Sequence, residues 1–294
     1  DLVVGIDHEE ASNNGISRDN DGYYLEYLSD FSDNFFITAG IRYDDNDDFG
    51  SNTSHRVSIA YLVDLSDSST LKFKSSLGTG FRAPSPFEIA YNAGPFAFPP
   101  AALVTLAQEQ SKGYEFGVEY VLGNRIHLEA IYFDQEVEDA IFFDLAGFSG
   151  YLQDVGTSTS KGVEITADLQ LSDSLRLTSN YTYNDTERPN GLQRRRRPEG
   201  LMNISLAYTA LDDRLKINGF YRVSRDATDE LFGSPVDLDD FEVLDISARY
   251  RITDNFSIYA RLENAFGEDY EEITGFNSPE RAAYLGFKLN FSAN

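Results

Sequence analysis

Residues 281–291, which read RAAYLGFKLNF, carry apolar and polar side chains at alternate positions. The apolar positions are Ala283, Leu285, Phe287, Leu289 and Phe291. The positions between them are Tyr284, Gly286, Lys288 and Asn290. Successive side chains of a β-strand point to opposite faces of the sheet. The stretch therefore predicts a strand with one apolar and one polar face.

The same alternation recurs from one end of the chain to the other and predicts about fourteen strands. Most of these segments have roughly ten residues, the length that a tilted membrane-spanning strand needs, whereas the strands of soluble proteins average about five or six. The segments are 2–9, 22–31, 35–43, 56–65, 71–80, 114–122, 125–133, 162–171, 174–183, 200–209, 214–223, 243–252, 255–263 and 281–291.

The connections between these segments alternate between short polar turns and longer links. The longer links are 10–21, 45–53, 81–110, 136–160, 184–199, 224–240 and 264–280. Outer-membrane barrels have short periplasmic turns and long extracellular loops. An even number of strands then places both termini on the periplasmic side.

Composition argues against several other classes of protein. With 24 Lys and Arg residues against 49 Asp and Glu residues the net charge is −25, so we expect no nucleic-acid partner. The chain has no cysteine and three histidines, which argues against disulfides, a thiol nucleophile and a histidine-rich metal or catalytic site. No apolar run approaches the roughly 20 residues of a helical membrane span. The strand-like pattern begins at Asp1, so we expect a mature chain, a processed chain or a fragment.

We predict an all-β fold, an antiparallel transmembrane β-barrel with its apolar face toward lipid and its polar face toward a wet lumen. Aromatic residues cluster near the predicted strand ends, as in the interfacial girdles of such barrels. They are Tyr23, Phe31, Tyr43, Tyr120, Tyr183, Tyr208, Tyr221 and Phe291. A soluble two-sheet sandwich also alternates, and it remains the competing fold.

Four segments resemble conserved elements of TonB-dependent outer-membrane receptors. Residues 78–85 (GTGFRAPS) are similar to the family's strand-to-loop signature, and residues 110–117 (QSKGYEFG) and 160–164 (SKGVE) are similar to two of its strand starts. Residues 262–281 follow its C-terminal pattern, with Glu280 in place of a glycine. The matching positions are Phe81, Arg82, Ala83, Pro84, Ser111, Glu115, Gly162, Glu164, Asn264, Phe266, Tyr270, Gly275 and Arg281.

This resemblance implies a receptor of the Gram-negative outer membrane that takes up a scarce metal chelate. The order of the motifs and the arginine run 194–197 look most like the vitamin B12 (cobalamin) receptor and its siderophore-receptor relatives. Family barrels have about 22 strands and a plugged lumen. The resemblance therefore implies that residues 1–294 are the C-terminal part of such a barrel. The plug and the first strands have no counterpart in this chain. Contact with TonB would then occur only through the missing plug domain.

The longest predicted loop, 81–110, contains several prolines and several aromatic residues. Phe87, Tyr91, Phe96 and Phe98 suit a flat, partly apolar ligand, although they could instead pack the loop onto its neighbours. Arg194 and Arg195 open a basic run that suits an anionic ligand or lipopolysaccharide, with a solvated loop or an ion-pair ladder as alternatives.

Asp44, Asn46 and Asp48 precede Gly50 in a D-x-N-x-D-x-G pattern that resembles the start of a calcium loop. The twelfth position is His55 rather than the glutamate that such loops require, so a solvated acidic loop tip is the alternative. We expect no other cofactor, and nothing in the sequence marks a catalytic acid, base or nucleophile.

Two further functions remain open at this point. An autonomous fourteen-strand barrel could act as a passive porin or an adhesin, and its first and last strands would then pair. A soluble acidic β-protein that binds carbohydrate would instead pack Leu285, Phe287 and Leu289 inside a two-sheet core.

Overall fold

The computed structural model describes residues 1–291, and strands make up most of them. The strands are β1 (Leu2–Asn13), β2 (Ile16–Ser32), β3 (Phe35–Asn46), β4 (Gly50–Ser66), β5 (Ser69–Arg82), β6 (Glu109–Leu122), β7 (Ile126–Phe143), β8 (Tyr151–Ser172), β9 (Leu175–Glu187), β10 (Gly200–Ala210), β11 (Leu215–Arg225), β12 (Ala227–Leu231), β13 (Ser234–Leu238), β14 (Phe241–Arg251), β15 (Phe256–Glu263), β16 (Glu271–Ile273), β17 (Phe276–Asn277) and β18 (Ala282–Leu289).

Fourteen of these strands form one antiparallel sheet in which each strand pairs with the next one along the chain. The order runs from β1 to β11 and continues through β14, β15 and β18. The remaining four strands form two small hairpins, β12–β13 and β16–β17, within the long connections. The prediction of fourteen strands is confirmed, segment by segment.

Within the described part of the chain, β1 and β18 do not pair, so the sheet has two open edges. A closed fourteen-strand barrel, which a porin or adhesin formed by this chain alone would need, is therefore not what the structure shows. The described residues also contain no plug domain beside the sheet, its loops and its hairpins.

Several strands extend well beyond their predicted ends, and two of the predicted long loops are wrong. Segment 10–21 consists of strand on both sides of a tight turn at Asn14 and Gly15, whose φ angles of 49° and 80° suit a two-residue hairpin. Segment 45–53 likewise reduces to a short turn between β3 and β4. Both extensions carry polar residues on both faces, so the apolar alternation that predicted the strands disappears there.

The register brings the apolar positions of neighbouring strands onto one continuous face. One row runs across five strands through directly paired residues, namely Phe35, Tyr61, Phe73, Val118 and Ala130. The opposite face carries ion pairs such as Lys72 with Glu119, whose nitrogen and oxygen are 3.1 Å apart. The sheet therefore has one apolar and one polar face along its whole width.

The apolar face is not covered by protein. Leu285 is 83% exposed, and Phe287 and Leu289 on the same strand are exposed as well. The buried apolar side chains of the described residues are few, among them Phe241 and Val243. The two-sheet sandwich is therefore wrong, because these side chains form no two-sheet core.

The connection between β5 and β6 contains a helix that the sequence interpretation left as loop. The helix α1 (Pro86–Ala93) begins at a capping box: the Ser85 hydroxyl accepts the Glu88 N–H at 3.2 Å, and the Glu88 carboxylate accepts the Ser85 N–H at 2.7 Å. A short 3-10 helix follows at Ala101–Leu103. No helix in the described residues is long and apolar enough to cross a membrane.

Candidate ligand site at the loop end

The long connections all lie at one end of the sheet because its strands are antiparallel and sequential. They are the segments 83–108, 144–150, 188–199, 226–240 and 264–281. The first of these, the α1 connection, is tied to two distant strands. Arg18 of β2 donates to the Pro84 carbonyl, and the Asn92 side chain exchanges two 2.8 Å hydrogen bonds with the backbone of Tyr151 on β8. The connection therefore reaches from one part of the sheet to another across its end.

Two of the predicted ligand aromatics lie in a four-ring cluster. Tyr91 packs edge-on against Phe143 and Tyr151, with ring centroids 5.5 and 5.7 Å apart. Phe87 lies 6.1 Å from Tyr151. These contacts hold α1 on the extensions of β7 and β8, as edge-to-face aromatic pairs stabilise packing. Phe87 and Tyr91 thus pack the loop onto its neighbours.

The other two predicted aromatics point to solvent. Phe96 is 76% exposed, and Phe98 is also exposed. The Phe98 N–H donates to the Ser149 carbonyl at 3.1 Å, which places it beside segment 144–150. The structure therefore divides the predicted aromatic set into a packing pair and an exposed pair.

Two exposed aromatics that the sequence interpretation missed lie on the neighbouring segments. Phe148 and Phe232 have φ angles of 55° and 49°, a left-handed conformation that is uncommon for bulky residues. Phe232 is 86% exposed. A Cβ on Gly233 would lie 3.6 Å from the Ala146 Cβ, so the tip of the β12–β13 hairpin touches segment 144–150. The adjacent glycines, Gly147 and Gly233, were the available signal for such turns.

Two of the four arginines in the run 194–197 pair with carboxylates of segment 226–240. Arg195 lies 3.3 Å from Glu230, and Arg196 lies 2.9 Å from Asp229. Arg188, just before the run, lies 2.9 Å from Asp154. The predicted residues Arg194 and Arg195 thus belong to one cluster, in which Arg195 is an ion-pair partner.

Asp229 joins three connections at once. The residue is 2% exposed, and its carboxylate accepts hydrogen bonds from Arg196 at 2.9 Å and from the Thr274 N–H at 2.9 Å. Burial opposes ionisation of Asp229, but the bonds from Thr274 and Arg196 hold its pKa below the usual value. The ionised carboxylate therefore fixes segment 188–199 and the β16–β17 hairpin to the β12–β13 hairpin.

The first family-like segment organises the start of the α1 connection. Phe81 and Arg82 end β5, and the Arg82 guanidinium lies 3.0 Å from Glu88. Ala83 and Pro84 are buried below α1. These positions therefore set the course of the loop as it leaves the sheet.

The two strand-start segments shape the polar face. On β6, the Ser111 hydroxyl lies against Gly80, at 3.0 Å from where a Cβ would be, and the Glu115 carboxylate accepts a hydrogen bond from Ser76 at 3.2 Å. Ser111 and Glu115 line a cavity of about 580 Å³ together with Glu164 of β8.

Gly162 on β8 is a site of close backbone approach. A Cβ there would collide with the Tyr183 carbonyl oxygen and lie 2.9 Å from the Phe133 ring. Glycine is therefore the residue that this crossing of β7, β8 and β9 requires.

The C-terminal segment forms a compact turn around Asn264. This residue is buried and has a φ of 46°. Its side chain bonds to the Glu268 N–H and carbonyl, both at 2.8 Å, and to the Pro279 carbonyl at 3.3 Å. Asn264 thus closes the connection between β15 and β18.

The remaining residues of that segment pack on neighbouring strands or lie at turns of the same connection. The Tyr270 ring lies 4.3 Å from Phe241, and the Phe266 ring lies 6.4 Å from Tyr221. Gly275, at φ 82°, forms the tip of β16–β17, and the Arg281 guanidinium lies over Gly267. The family-like residues therefore have structural roles in this molecule.

The candidate calcium residues have partners within the protein. Asp44 is buried and accepts hydrogen bonds from Arg42 at 2.7 Å and Asn20 at 3.0 Å, so it is not a solvated loop tip. The Asn46 side-chain oxygen accepts the N–H of Asp48 at 3.2 Å. Residues 1–291 contain no group of three or more His, Cys, Asp or Glu side chains placed to hold a metal ion. A structural calcium ion at Asp44, Asn46 and Asp48 stays a prediction.

Comparisons with known proteins agree on one family. The family model described as "TonB dependent receptor-like, beta-barrel" matches residues 3–265. A vitamin B12 transporter BtuB of Photobacterium profundum is 28% identical over 96% of this chain and 46% of its own length. One of Vibrio cholerae (strain M66-2) is 27% identical over 87% of this chain and 40% of its own length. The chain thus spans less than half the length of these curated relatives.

Solved structures share the same fold. P. aeruginosa FpvA, in a complex with a heterologous pyoverdine, superposes with a TM-score of 0.71 over 94% of this chain and 39% of its own, at 17% identity. At this level of identity the likeness shows the barrel fold alone.

Proposed function

The chain belongs to the TonB-dependent receptor β-barrel family, and on that premise we propose that it takes up a scarce metal chelate, of the siderophore-iron or cobalamin class, across the outer membrane. The observation that carries the proposal is the joining of the long connections at one end of the sheet. Five connections meet there through side-chain bonds such as Asn92 to Tyr151 and Arg196 to Asp229. The barrel wall thus supports an ordered set of loops on which a ligand can bind.

The exposed aromatic residues supply the apolar part of the proposed site. Phe96 and Phe98 of the α1 connection lie on the loop end together with Phe148 and Phe232 of the neighbouring connections. Rigid aromatic side chains offer a large contact area at a low entropic cost. We therefore assign ligand contact to Phe96 and Phe98, while Phe87 and Tyr91 position the helix that carries them.

The open edges support a larger receptor. An unpaired strand edge inside a bilayer leaves N–H and C=O groups without partners, and each such group costs several kcal/mol. The edges of β1 and β18 thus require further strands, and the relatives are about twice as long as this chain. We propose that this chain is the C-terminal part of a barrel of about 22 strands, whose plug domain contacts TonB.

The orientation follows from the same arrangement. The short turns would face the periplasm, with both termini of this segment on that side, and the long connections would face the exterior. Lipid would contact the apolar face, and lipopolysaccharide would contact the polar strand extensions above it.

Binding to outer-membrane vesicles that carry the protein tests the proposal. We expect saturable binding of at least one of three probes, namely a ferric tricatecholate, a ferric trihydroxamate or cyanocobalamin. Phe98→Ser should weaken that binding about tenfold, because burying one large aromatic side chain contributes roughly 1.5–3 kcal/mol. Leu211→Ser, at an exposed turn on the opposite end of the sheet, is the matched control. If none of the probes binds, the chelate-receptor function is wrong.

A further inference from the structure

The polar face of the last four strands of the large sheet carries a basic patch beside the short turns 211–214 and 252–255. The register of β11, β14, β15 and β18 places three rows of directly paired residues there, and five of their eleven positions are cations while none is a carboxylate. The rows run through Asn218, Ser247, Arg261 and Tyr284, through Lys216, Arg249, Tyr259 and Gly286, and through Arg251, Ser257 and Lys288. Lys216, Arg249, Arg251, Arg261 and Lys288 are called the basic patch below.

The polar face near the short turns is balanced on β5 to β9. The cations there pair with carboxylates of nearby strands, namely Lys72 with Glu119, Lys74 with Glu129 and Arg176 with Asp168. In the basic patch, Lys216 instead lies directly opposite Arg249. Like charges directly opposite each other destabilise a strand pair. The basic patch therefore differs from the rest of this face in the arrangement of its charges.

The strands beside the patch do not supply the opposite charge. On β10 the residue directly opposite Lys216 is Thr209. Arg261, at the upper border, pairs with Glu263 at 2.9 Å, whereas in residues 1–291 the other four cations have no carboxylate oxygen within 4.0 Å. A further strand added beside β18 would lie four strand spacings from β11, roughly 19 Å, which is beyond the reach of a lysine side chain.

The basic patch is open on the polar side of the sheet. All five of its side chains are exposed, so no described part of the chain covers them. Two local contacts hold the patch in shape: the Arg261 guanidinium lies 4.7 Å from the centre of the Tyr284 ring, and the Arg249 Nε donates to the Ser257 hydroxyl at 3.3 Å. In the orientation proposed above, this face borders the lumen near its periplasmic end. A counter-charge for Lys216 and Arg249 would therefore approach from the lumen.

We propose that the basic patch is the docking surface for an acidic face of the plug domain. The proposal rests on the receptor function proposed above, in which a plug fills the lumen, and it adds which wall holds the plug by charge and which charge the plug presents there. Charge complementarity supports this occupant, because a chain with a net charge of −25 concentrates cations on this one wall. The length of the relatives, about twice that of this chain, leaves room for such a domain.

Limited proteolysis of the whole receptor, this chain together with its plug, tests the docking surface. The rate at which added protease digests the plug reports how often the plug separates from the wall, when separation is fast relative to cleavage. We expect Arg249→Glu to raise this rate about fivefold to tenfold at low salt, a factor that corresponds to about 1–1.4 kcal/mol. The reason is that a carboxylate in the patch would repel an acidic plug face. High salt should remove most of the difference, because exposed charges are screened.

The matched control is Arg176→Glu, which reverses a charge on the same face near the short turns but outside the patch. It should leave digestion of the plug unchanged. An equal effect of Arg176→Glu and Arg249→Glu would indicate damage to the barrel and would overturn the docking surface. So would an unchanged digestion rate in Arg249→Glu, which is the result expected if the patch binds another acidic protein instead of the plug.

The chain without a plug provides a second measurement with a different expected sign. There Arg249→Gln removes the repulsion from Lys216 and should leave the free energy of unfolding unchanged or higher in a urea titration in lipid vesicles. A lower value would assign Arg249 a role within the sheet and overturn the proposal. Each of these failures leaves the chelate-receptor function intact, because binding of the ferric and cyanocobalamin probes decides that function separately.

Discussion

Ile246→Arg directly tests whether the apolar face of the sheet contacts lipid. Ile246 lies in the middle of β14, directly opposite Gly219 on β11 and Leu262 on β15. Its side chain is exposed on the apolar face, and no other part of the described chain covers it. The neighbouring residue Ser247 lies on the polar face, opposite Asn218 and Arg261.

We expect an arginine on the apolar face to lower the free energy of unfolding more than an arginine on the polar face. An arginine at the lipid-facing midplane of a barrel lowers the free energy of unfolding by about 2–4 kcal/mol. At Ser247 the guanidinium would remain in water, and repulsion from Arg261 across the strands would cost about 0.2–1 kcal/mol. The expected difference between the variants is therefore about 2 kcal/mol.

Urea titration in lipid vesicles measures this difference, with the free energy of unfolding extrapolated linearly to zero denaturant. Each variant is compared with the unsubstituted protein under the same lipid and pH. If Ile246→Arg is no more destabilising than Ser247→Arg, the apolar face does not contact hydrocarbon and the membrane orientation of the sheet is wrong.

Three further changes test local features. Gly162→Ala should lower the free energy of unfolding by about 1–3 kcal/mol because its Cβ collides with the Tyr183 carbonyl, whereas Gly219→Ala, which meets nothing within 4 Å, should be tolerated in the same denaturation assay. Asn264→Ala should lower the free energy of unfolding by about 3 kcal/mol, because it removes three hydrogen bonds and places alanine in a left-handed backbone conformation. Asn264→Gly should recover the share of this loss that comes from the backbone conformation. The depressed pKa of Asp229 means that its contribution to stability is present above about pH 4 and is lost as the pH falls through its folded-state pKa; hydrogen exchange of the hairpins should show this loss, and Asp229→Asn should abolish the pH dependence.

Much of the sheet could be predicted from the sequence because a sheet with one apolar and one polar face imposes a strict two-residue period. All fourteen predicted segments are strands of the large sheet. Their ends could not be predicted, as β8 shows: the alternation covers 162–171, but the strand spans Tyr151–Ser172. Beyond the apolar zone both faces meet water, so the backbone continues its pairing while the side-chain pattern no longer reports it.

The position of the long connections at one end of the sheet was predictable, but the contacts among their side chains were not. The capping sequence Ser85-Pro-Phe-Glu88 is a local signal that could have identified α1. In contrast, Tyr91 reaches Phe143 and Tyr151 only because three separate connections meet at one end of the sheet. The spacing of residues along the chain does not indicate which aromatic residues such contacts cover.

The partners of the arginine side chains were equally hard to predict from the sequence. Arg42 pairs with Asp44 of its own strand and Arg176 pairs with Asp168 of the neighbouring strand, and these ion pairs line the sheet. A pair of this kind satisfies both charges within the sheet. Arg195 and Arg196 instead pair with Glu230 and Asp229, which belong to another long connection. Since a pair of this kind depends on how the connections meet at the end of the sheet, the spacing of residues along the chain cannot predict it.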